Sequence, residues 1–189
     1  MLENYGDTSF EPVSYSGMKV YAPMDSAVQV NDNYSVGLSM YSSRIYNYES
    51  INNENIKGWH QNDGMLYIYN NDIEQCGEGY LPAVDPYRLP GTTTDTRELS
   101  NAAAQGKKSP QSFVGGTTGG ENGTMAMYYN STNLGLGMDL KARKSWFLLD
   151  GKIVCLGSNI DETTDASIET TVENRMMTDP SNKISINGE

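Results

Sequence analysis

The segment NYESINNENIKGWH, residues 47 to 60, contains a glutamate and an asparagine whose spacing could support chemistry on a sugar. Glu49 and Asn52 are three residues apart, where a strand-like segment gives way to a loop. From that position a short turn can aim both side chains in the same direction. A carboxylate that orients an arginine or tyrosine, next to an amide that hydrogen-bonds an acidic group, suits electrostatic catalysis. The pair is therefore a candidate for contacting a hydroxyl or a uronate carboxylate.

Composition alone favours a simpler interpretation of the same segment. Asparagine is a frequent turn residue because its side chain bonds to nearby backbone and tolerates left-handed φ angles. On this interpretation Asn52, Asn53 and Asn55 are turn residues and Glu54 is a solvated charge. The residues by themselves leave both interpretations open.

Other residues that could carry chemistry are isolated in the sequence. His60 is the only histidine, and no partner pattern typical of a catalytic triad accompanies it, so we expect a packed or surface side chain. Asp85 and Asp95 could hold calcium through oxygen ligands, but the spacing of an EF-hand is missing and turn chemistry is the alternative. No metal ligand is assigned from these residues.

The elements that must position these residues are predicted to be short strands. Runs rich in β-branched or aromatic residues are each bounded by Gly, Asn, Asp or Pro. They are Met18–Tyr21, Tyr34–Tyr41, Met65–Tyr69, Met125–Tyr129, Ser145–Leu149 and Ile153–Leu156. Asp150-Gly151 joins the last two and predicts a hairpin with a type I′ turn.

Two further segments complete the prediction of the fold. Glu98–Lys108 is the only helix-like stretch, and the glycine-rich residues 109–124 are predicted to form a loop at a sheet edge. The pattern as a whole indicates an all-β fold, a large sandwich of antiparallel sheets that carries any function on its loops.

Composition and charge narrow the class of protein. The chain has 189 residues, 13 tyrosines, 19 glycines and 3 phenylalanines, which fits one strand-rich domain. A formal net charge of -11 argues against nucleic acid or an anionic membrane surface as partner. No stretch approaches the roughly 20 apolar residues of a membrane helix.

The cysteines and the chain ends carry less information. Cys76 and Cys155 lack the paired spacing of a zinc or redox site. We expect two buried free thiols, with a disulfide as the alternative if the two lie within about 7 Å. No signal peptide is visible at the start, and both ends enter or leave strand-like sequence abruptly, so we expect residues 1–189 to be one domain excised from a larger protein.

Several runs of sequence, in the same order, resemble the central β-domain of polysaccharide lyase family 8. They are SVGLSMYSSRIYNYESINNENIKGWHQNDGMLYIYNND, YLPAVDPYRLPGTTTD, SWFLLDGKIVCLGSNI and ETTVENR. This family contains the hyaluronate, chondroitin AC and xanthan lyases, and the likeness is strongest to the hyaluronate lyase branch. The resemblance implies a super-sandwich of the galactose-mutarotase-like type.

The resemblance also implies a function. Such lyases pair an N-terminal α/α toroid with the sandwich, bind an anionic polysaccharide between the two, and cleave it by β-elimination at a uronic acid. The catalytic base and acid lie on the toroid, which no part of this sequence resembles, and His60 does not match the catalytic histidine. The chain alone is thus expected to be inactive, and the parent enzyme is expected to be extracellular. Because a net charge of -11 repels a polyanion, we expect the chain by itself to bind hyaluronan weakly or not at all.

The family motif corresponds to Glu49-Ser50-Ile51-Asn52 in this chain. It implies that Glu49 orients an arginine of the toroid and that Asn52 contacts substrate, with Arg44 and Asn55 lining the same wall. Asn53 stands where many members have glycine, and Leu81 where many have an aromatic residue. Some chondroitin lyases hold calcium near the segment from Asp85, whose acidic positions are only partly kept.

Two other classes of protein remain as alternatives. A carbohydrate-binding module would display exposed tryptophans on a flat face, and this chain has only Trp59 and Trp146. A structural sandwich from a bacterial surface protein would need no site at all. Among lyase substrates, the sequence does not choose between hyaluronan, chondroitin and xanthan.

Overall fold

The computed structural model describes residues 15–70, 73, 77, 79–177, 179–181 and 183–189. Ten strands and three short helical turns make up the regular structure of these residues. The strands are β1 (Gly17–Tyr21), β2 (Ser26–Val30), β3 (Ser35–Met40), β4 (Asp63–Tyr69), β5 (Thr93–Asp95), β6 (Val114–Gly119), β7 (Asn122–Asn130), β8 (Lys141–Leu149), β9 (Lys152–Asp161) and β10 (Ile168–Thr170). The helical turns are α1 (Tyr80–Ala83) and the 3₁₀ turns Ala22–Met24 and Thr132–Leu134.

Two four-stranded antiparallel sheets, β1-β2-β3-β4 and β6-β7-β8-β9, form the layers of the molecule, and β5 pairs with β10 in a small third sheet. Buried and accessible residues alternate along β3 and β8, as expected for strands with one face in a core. The all-β fold of antiparallel sheets predicted from the sequence is confirmed, and no helix among the described residues is long and apolar enough to cross a membrane.

The main core lies between the two larger sheets. One continuous apolar cluster takes residues from both, including Val36, Leu38 and Met40 of β3 and Met127 and Leu148 of the opposite sheet. Trp146 is also in this cluster and is 1% exposed. Face-to-face packing of this kind defines a sandwich.

The β8–β9 hairpin is present, but its turn is not the predicted type I′. Leu149 pairs with Lys152 across the two-residue turn, and only Gly151 has a positive φ, of 71°. A type I′ turn requires positive φ at both central residues, and Asp150 does not adopt it. The Asp150 N–H instead donates to Oδ1 of Asn122, at 2.6 Å, which holds the turn against the neighbouring β6–β7 hairpin.

The prediction of a helix over Glu98–Lys108 is wrong. Ala102 and Ala104 have φ angles of 55° and 54°, which no right-handed helix permits. Tertiary hydrogen bonds replace the helical ones, because the carbonyl of Ala103 accepts from the Tyr48 hydroxyl at 2.6 Å and that of Ala104 from the Asn47 amide at 3.1 Å.

Two smaller expectations also need correction. The glycine-rich residues 109–124 are not only a loop, since they contain β6 and the start of β7, with β6 at the edge of its sheet as the position of the segment indicated. Cys155 is a free and exposed thiol on β9 rather than a buried one. Cys76 lies outside the described residues.

Candidate functional site: the Glu49–Asn55 loop

The connection between β3 and β4, residues 41–62, is fastened to the molecule before it reaches Glu49. Asn47 and Tyr48 are 1% and 4% exposed. The Asn47 side chain accepts from the Lys107 N–H at 2.9 Å and donates to the Ala104 carbonyl at 3.1 Å. The next residue, Glu49, therefore leaves a fixed base, which is what positions a loop residue precisely.

The tip of the loop is a tight turn. The Glu54 N–H donates to the Ile51 carbonyl at 2.8 Å, and Asn52 and Asn53 between them have φ angles of 53° and 63°. Positive φ at both central positions is the requirement of a type I′ turn, which asparagine tolerates better than most residues. Asn53 thus keeps the left-handed conformation that glycine adopts readily, and Asn52 does have the backbone of a turn residue.

The side chain of Asn55 holds the loop in place through hydrogen bonds. Its Nδ2 donates to the Glu49 carbonyl at 2.9 Å, and its amide exchanges two hydrogen bonds of 2.9 Å with the Gln61 amide. The Gly58 N–H donates to the Asn55 carbonyl at 3.2 Å. The structure therefore gives the Asn55 amide protein partners and a positioning task beside Glu49.

The side chains of Glu49 and Asn52 have no such partners. Both residues are exposed, and in the described part of the chain no hydrogen bond or ion pair engages either side chain, whereas the Glu49 backbone is held by Asn55. A carboxylate and an amide on a braced turn are consequently available to a second domain or to a ligand.

Arg44 belongs to a different part of the structure. Its guanidinium forms an ion pair with the buried carboxylate of Asp25 and donates to the carbonyls of Ser112 and Val114 at 2.8 and 3.1 Å. Arg44 therefore ties the end of β3 to the start of β6. Its side chain is still 42% exposed, but the structure shows no contact between it and the Glu49–Asn55 loop.

The carboxylates considered for calcium form ion pairs with arginines in the structure. Asp85 is paired with Arg88, and the fully buried carboxylate of Asp95 is paired with Arg97. Calcium needs six to eight oxygen ligands, and among the described residues no cluster of three or more acidic, histidine or cysteine side chains could hold a metal.

A buried polar cluster that the sequence did not reveal lies at the end of the loop. His60 Nδ1 is 2.7 Å from Oδ2 of Asp63, and the Tyr129 hydroxyl donates to the same oxygen at 3.2 Å. Lys144 Nζ donates to the carbonyls of Asp63 and Gly91 at 3.1 and 2.6 Å. His60 is 1% exposed, so the expectation of a packed histidine holds.

Burial dominates the electrostatics of this cluster. Desolvation lowers the pKa of Lys144 from 10.5 to about 8, although the Asp63 carboxylate opposes that change. Desolvation, with the negative charge of Asp63, raises the pKa of the Tyr129 hydroxyl well above 10.0. These groups lack access to a polysaccharide. The cluster was hidden because Tyr129 and Lys144 are far from Asp63 in sequence, and Lys144 is one alternating position of β8 among several.

Comparison with known proteins agrees with the fold. Residues 16–189 match the model of "Polysaccharide lyase family 8, super-sandwich domain". The polysaccharide lyase 8 family protein HylA of Enterococcus faecalis is 58% identical over 160 residues, and the hyaluronate lyase HylB of the same species is 45% identical over 172 residues. The chondroitin AC lyase of Streptomyces coelicolor, solved with chondroitin sulphate, superposes with a TM-score of 0.83 at 39% identity. The chain therefore belongs to polysaccharide lyase family 8, and it corresponds to the super-sandwich domain of that family.

The chain spans only a small part of those proteins. The matches cover 85%, 87% and 92% of this chain but 12%, 17% and 24% of HylA, HylB and the chondroitin AC lyase. The family assignment thus applies to the sandwich.

Proposed function

We propose that this chain forms one wall of the substrate cleft in an extracellular lyase that cleaves a uronate-containing polysaccharide, hyaluronan or chondroitin, by β-elimination. The observation that carries the proposal is the braced Glu49–Asn55 loop, which presents the unpartnered side chains of Glu49 and Asn52. The names of the relatives support the class of substrate. The other wall would be a helical toroid of the same protein.

The roles of the two residues follow from the reaction. A base removes the proton beside the uronate carboxylate, the bond to the leaving oxygen breaks, and that oxygen takes up a proton. The uronate charge must be neutralised for the proton to leave. Glu49 would hold a cation of the opposite wall in place, and Asn52 would donate its amide to the substrate, while the base and acid lie outside this chain.

Kinetics of loop variants in the longer protein test the proposal. Glu49→Ala should lower kcat at least about tenfold with a smaller rise in KM, because the residue acts on the transition state through a cation. Asn52→Ala should change both constants, because it removes a contact with the substrate in both states. Glu54→Ala is the matched control, since Glu54 is exposed on the same turn and uses only its backbone there.

The alternative functions make different predictions for the same variants. If Glu49→Ala and Asn52→Ala both have the kinetics of the unmodified enzyme, the loop is only a turn and the proposal fails.

A carbohydrate-binding module is disfavoured by the structure itself, because Trp59 and Trp146 are 5% and 1% exposed and form no flat exposed face.

A further inference from the structure

A hollow of about 270 Å³ lies on the sheet β6-β7-β8-β9 and shares no residue with the Glu49–Asn55 loop. Polar side chains and one exposed tyrosine line it: Gln111, Tyr128, Lys141, Arg143, Asn159 and Asp161. The volume is at the lower limit of the roughly 300 Å³ typical of small-molecule pockets. It suits one saccharide unit rather than a buried length of chain.

An irregularity in the sheet creates this hollow. Lys141 pairs with Asp161 and Arg143 with Ser158, so two steps along β8 correspond to three along β9. The extra residue forms a bulge, and Asn159 within it has a left-handed φ of 51°. Bulges re-aim side chains and are frequent beside active sites, and asparagine tolerates the left-handed conformation found at this one.

Two cations, Lys141 and Arg143, line the hollow. Within the described residues, no hydrogen bond or ion pair engages the side-chain nitrogens of Lys141 or Arg143. The Arg143 guanidinium lies 5.2 Å from the centre of the Tyr128 ring, which orients it without using its N–H donors. Lys141 lies opposite Asp161 in the strand register and interacts electrostatically with Asp139. Arg143 has no carboxylate opposite it in the register, so in a chain of net charge -11 the two cations without hydrogen-bond partners mark a place for a carboxylate.

The remaining groups suit the rest of a sugar. Tyr128 and Phe113 are 39% and 51% exposed, and their ring centres are 4.8 Å apart, so together they present an aromatic surface to the apolar face of a pyranose. Asn159 and Gln111 offer amides to hydroxyl groups. Asp161 can accept hydrogen bonds from hydroxyl groups.

We propose that this hollow binds a single uronate-bearing unit of an acidic polysaccharide, with Arg143 and Lys141 on the carboxylate. The proposal rests on the proposed function for the class of ligand and adds a second point of contact to it. The Gln111 carbonyl accepts from the Ser43 N–H at 2.8 Å, so the hollow adjoins the start of the connection that carries Glu49. The hollow would hold the polysaccharide at a second place on this domain, beside the connection that carries the loop.

The test is a titration of the isotope-labelled chain with a hyaluronan tetrasaccharide at low salt, followed by NMR. We expect millimolar binding, with backbone amide shifts at Tyr128, Arg143 and Asn159. Arg143→Gln should weaken binding about threefold to tenfold, the loss of one charge-assisted contact. Lys152→Gln is the control, since Lys152 is exposed on β9 outside the hollow and its replacement makes the same change in charge. A neutral tetramer of N-acetylglucosamine should bind more weakly than the hyaluronan fragment.

The other outcomes separate this proposal from the proposed function. Shifts confined to residues 49–55 would contradict the proposed binding site in the hollow and leave the proposed role of the loop as a cleft wall unaffected. Equal weakening by Arg143→Gln and Lys152→Gln would show a general charge effect and contradict that binding site as well. Shifts at the hollow, together with unmodified kinetics in both the Glu49→Ala and the Asn52→Ala enzymes, would support the binding site in the hollow and contradict the cleft wall. No shifts at saturating millimolar ligand would contradict the hollow.

Discussion

Lys144 shows how a single buried residue makes the stability of this fold depend on pH. It lies in the core layer of β8 and is 6% exposed. Among the described residues, the partners of its ammonium group are two carbonyl groups and the face of Trp146. Holding that charge away from water is unfavourable, which is why its pKa falls to about 8. The folded protein therefore binds the Lys144 proton less tightly than the unfolded chain does.

This difference predicts a specific pH dependence of stability. Below pH 8 both states are protonated and the full cost of burying the charge is present; between about 8 and 10.5 the folded state loses the proton first. The Lys144 contribution to the free energy of unfolding should then rise with pH, by roughly 3 kcal/mol in all. Lys144→Met lacks the group, so the wild type should gain stability relative to this variant over that range in urea unfolding.

The comparison with Lys144→Met also removes the effect of the tyrosines. The pKa of the Tyr41 and Tyr129 hydroxyls is raised, mainly by desolvation. The unfolded chain therefore loses these protons first above pH 10, which destabilises both proteins equally. A stability difference that stays constant from pH 8 to pH 10.5 would show that Lys144 is not desolvated as described.

At the scale of elements, β4 and β8 approach each other closely at Gly64. A methyl group there would lie 2.6 Å from Cζ2 of Trp146, and the φ of Gly64 is 87°. Gly64→Ala should therefore cost both overpacking and backbone strain, together about 2 to 5 kcal/mol. Gly151→Ala has a φ of 71° but nothing within 4 Å of the added methyl, so it isolates the backbone contribution of about 1 kcal/mol. Thermal unfolding of both variants is the measurement, and equal losses would contradict the packing argument.

The elements also show what could be predicted from the sequence. Runs rich in β-branched or aromatic residues located β3 and the later parts of β7 and β8, because such residues fit a pleated, half-buried surface. The Glu98–Lys108 prediction failed because Asn47 and Tyr48, more than 50 positions away, bind the carbonyls that a helix would use. β6 was missed because glycine contributes no side chain to the pattern, although its backbone pairs with β7 as well as any other.

The candidate site was predictable in part. The turn at Asn52 and Asn53 follows from asparagine chemistry, and the resemblance to the family selected Glu49 and Asn52. The position of Arg44 could not be foreseen, since its partners Asp25, Ser112 and Val114 are brought to it only by the packing of two sheets.

At the scale of the whole molecule, the net charge bears on which part of the protein attracts an anionic polysaccharide. A net charge of -11 repels a polyanion at low salt, and screening sets in only beyond about 10 Å at 0.1 M. On the proposed function, attraction of the polysaccharide would come mainly from another domain, with the proposed site at Arg143 as a local exception. His60, the only histidine of the sequence, is buried in the core, where a polysaccharide cannot reach it.

The most direct test of the account is ultraviolet absorbance during incubation with hyaluronan, which detects the double bond that β-elimination creates. The longer protein that contains this chain should produce a steady rise, and the 189-residue chain alone should produce none at the same molar concentration. A steady rise with the chain alone would place the catalytic base within these residues and contradict the view that the sandwich supplies one wall only.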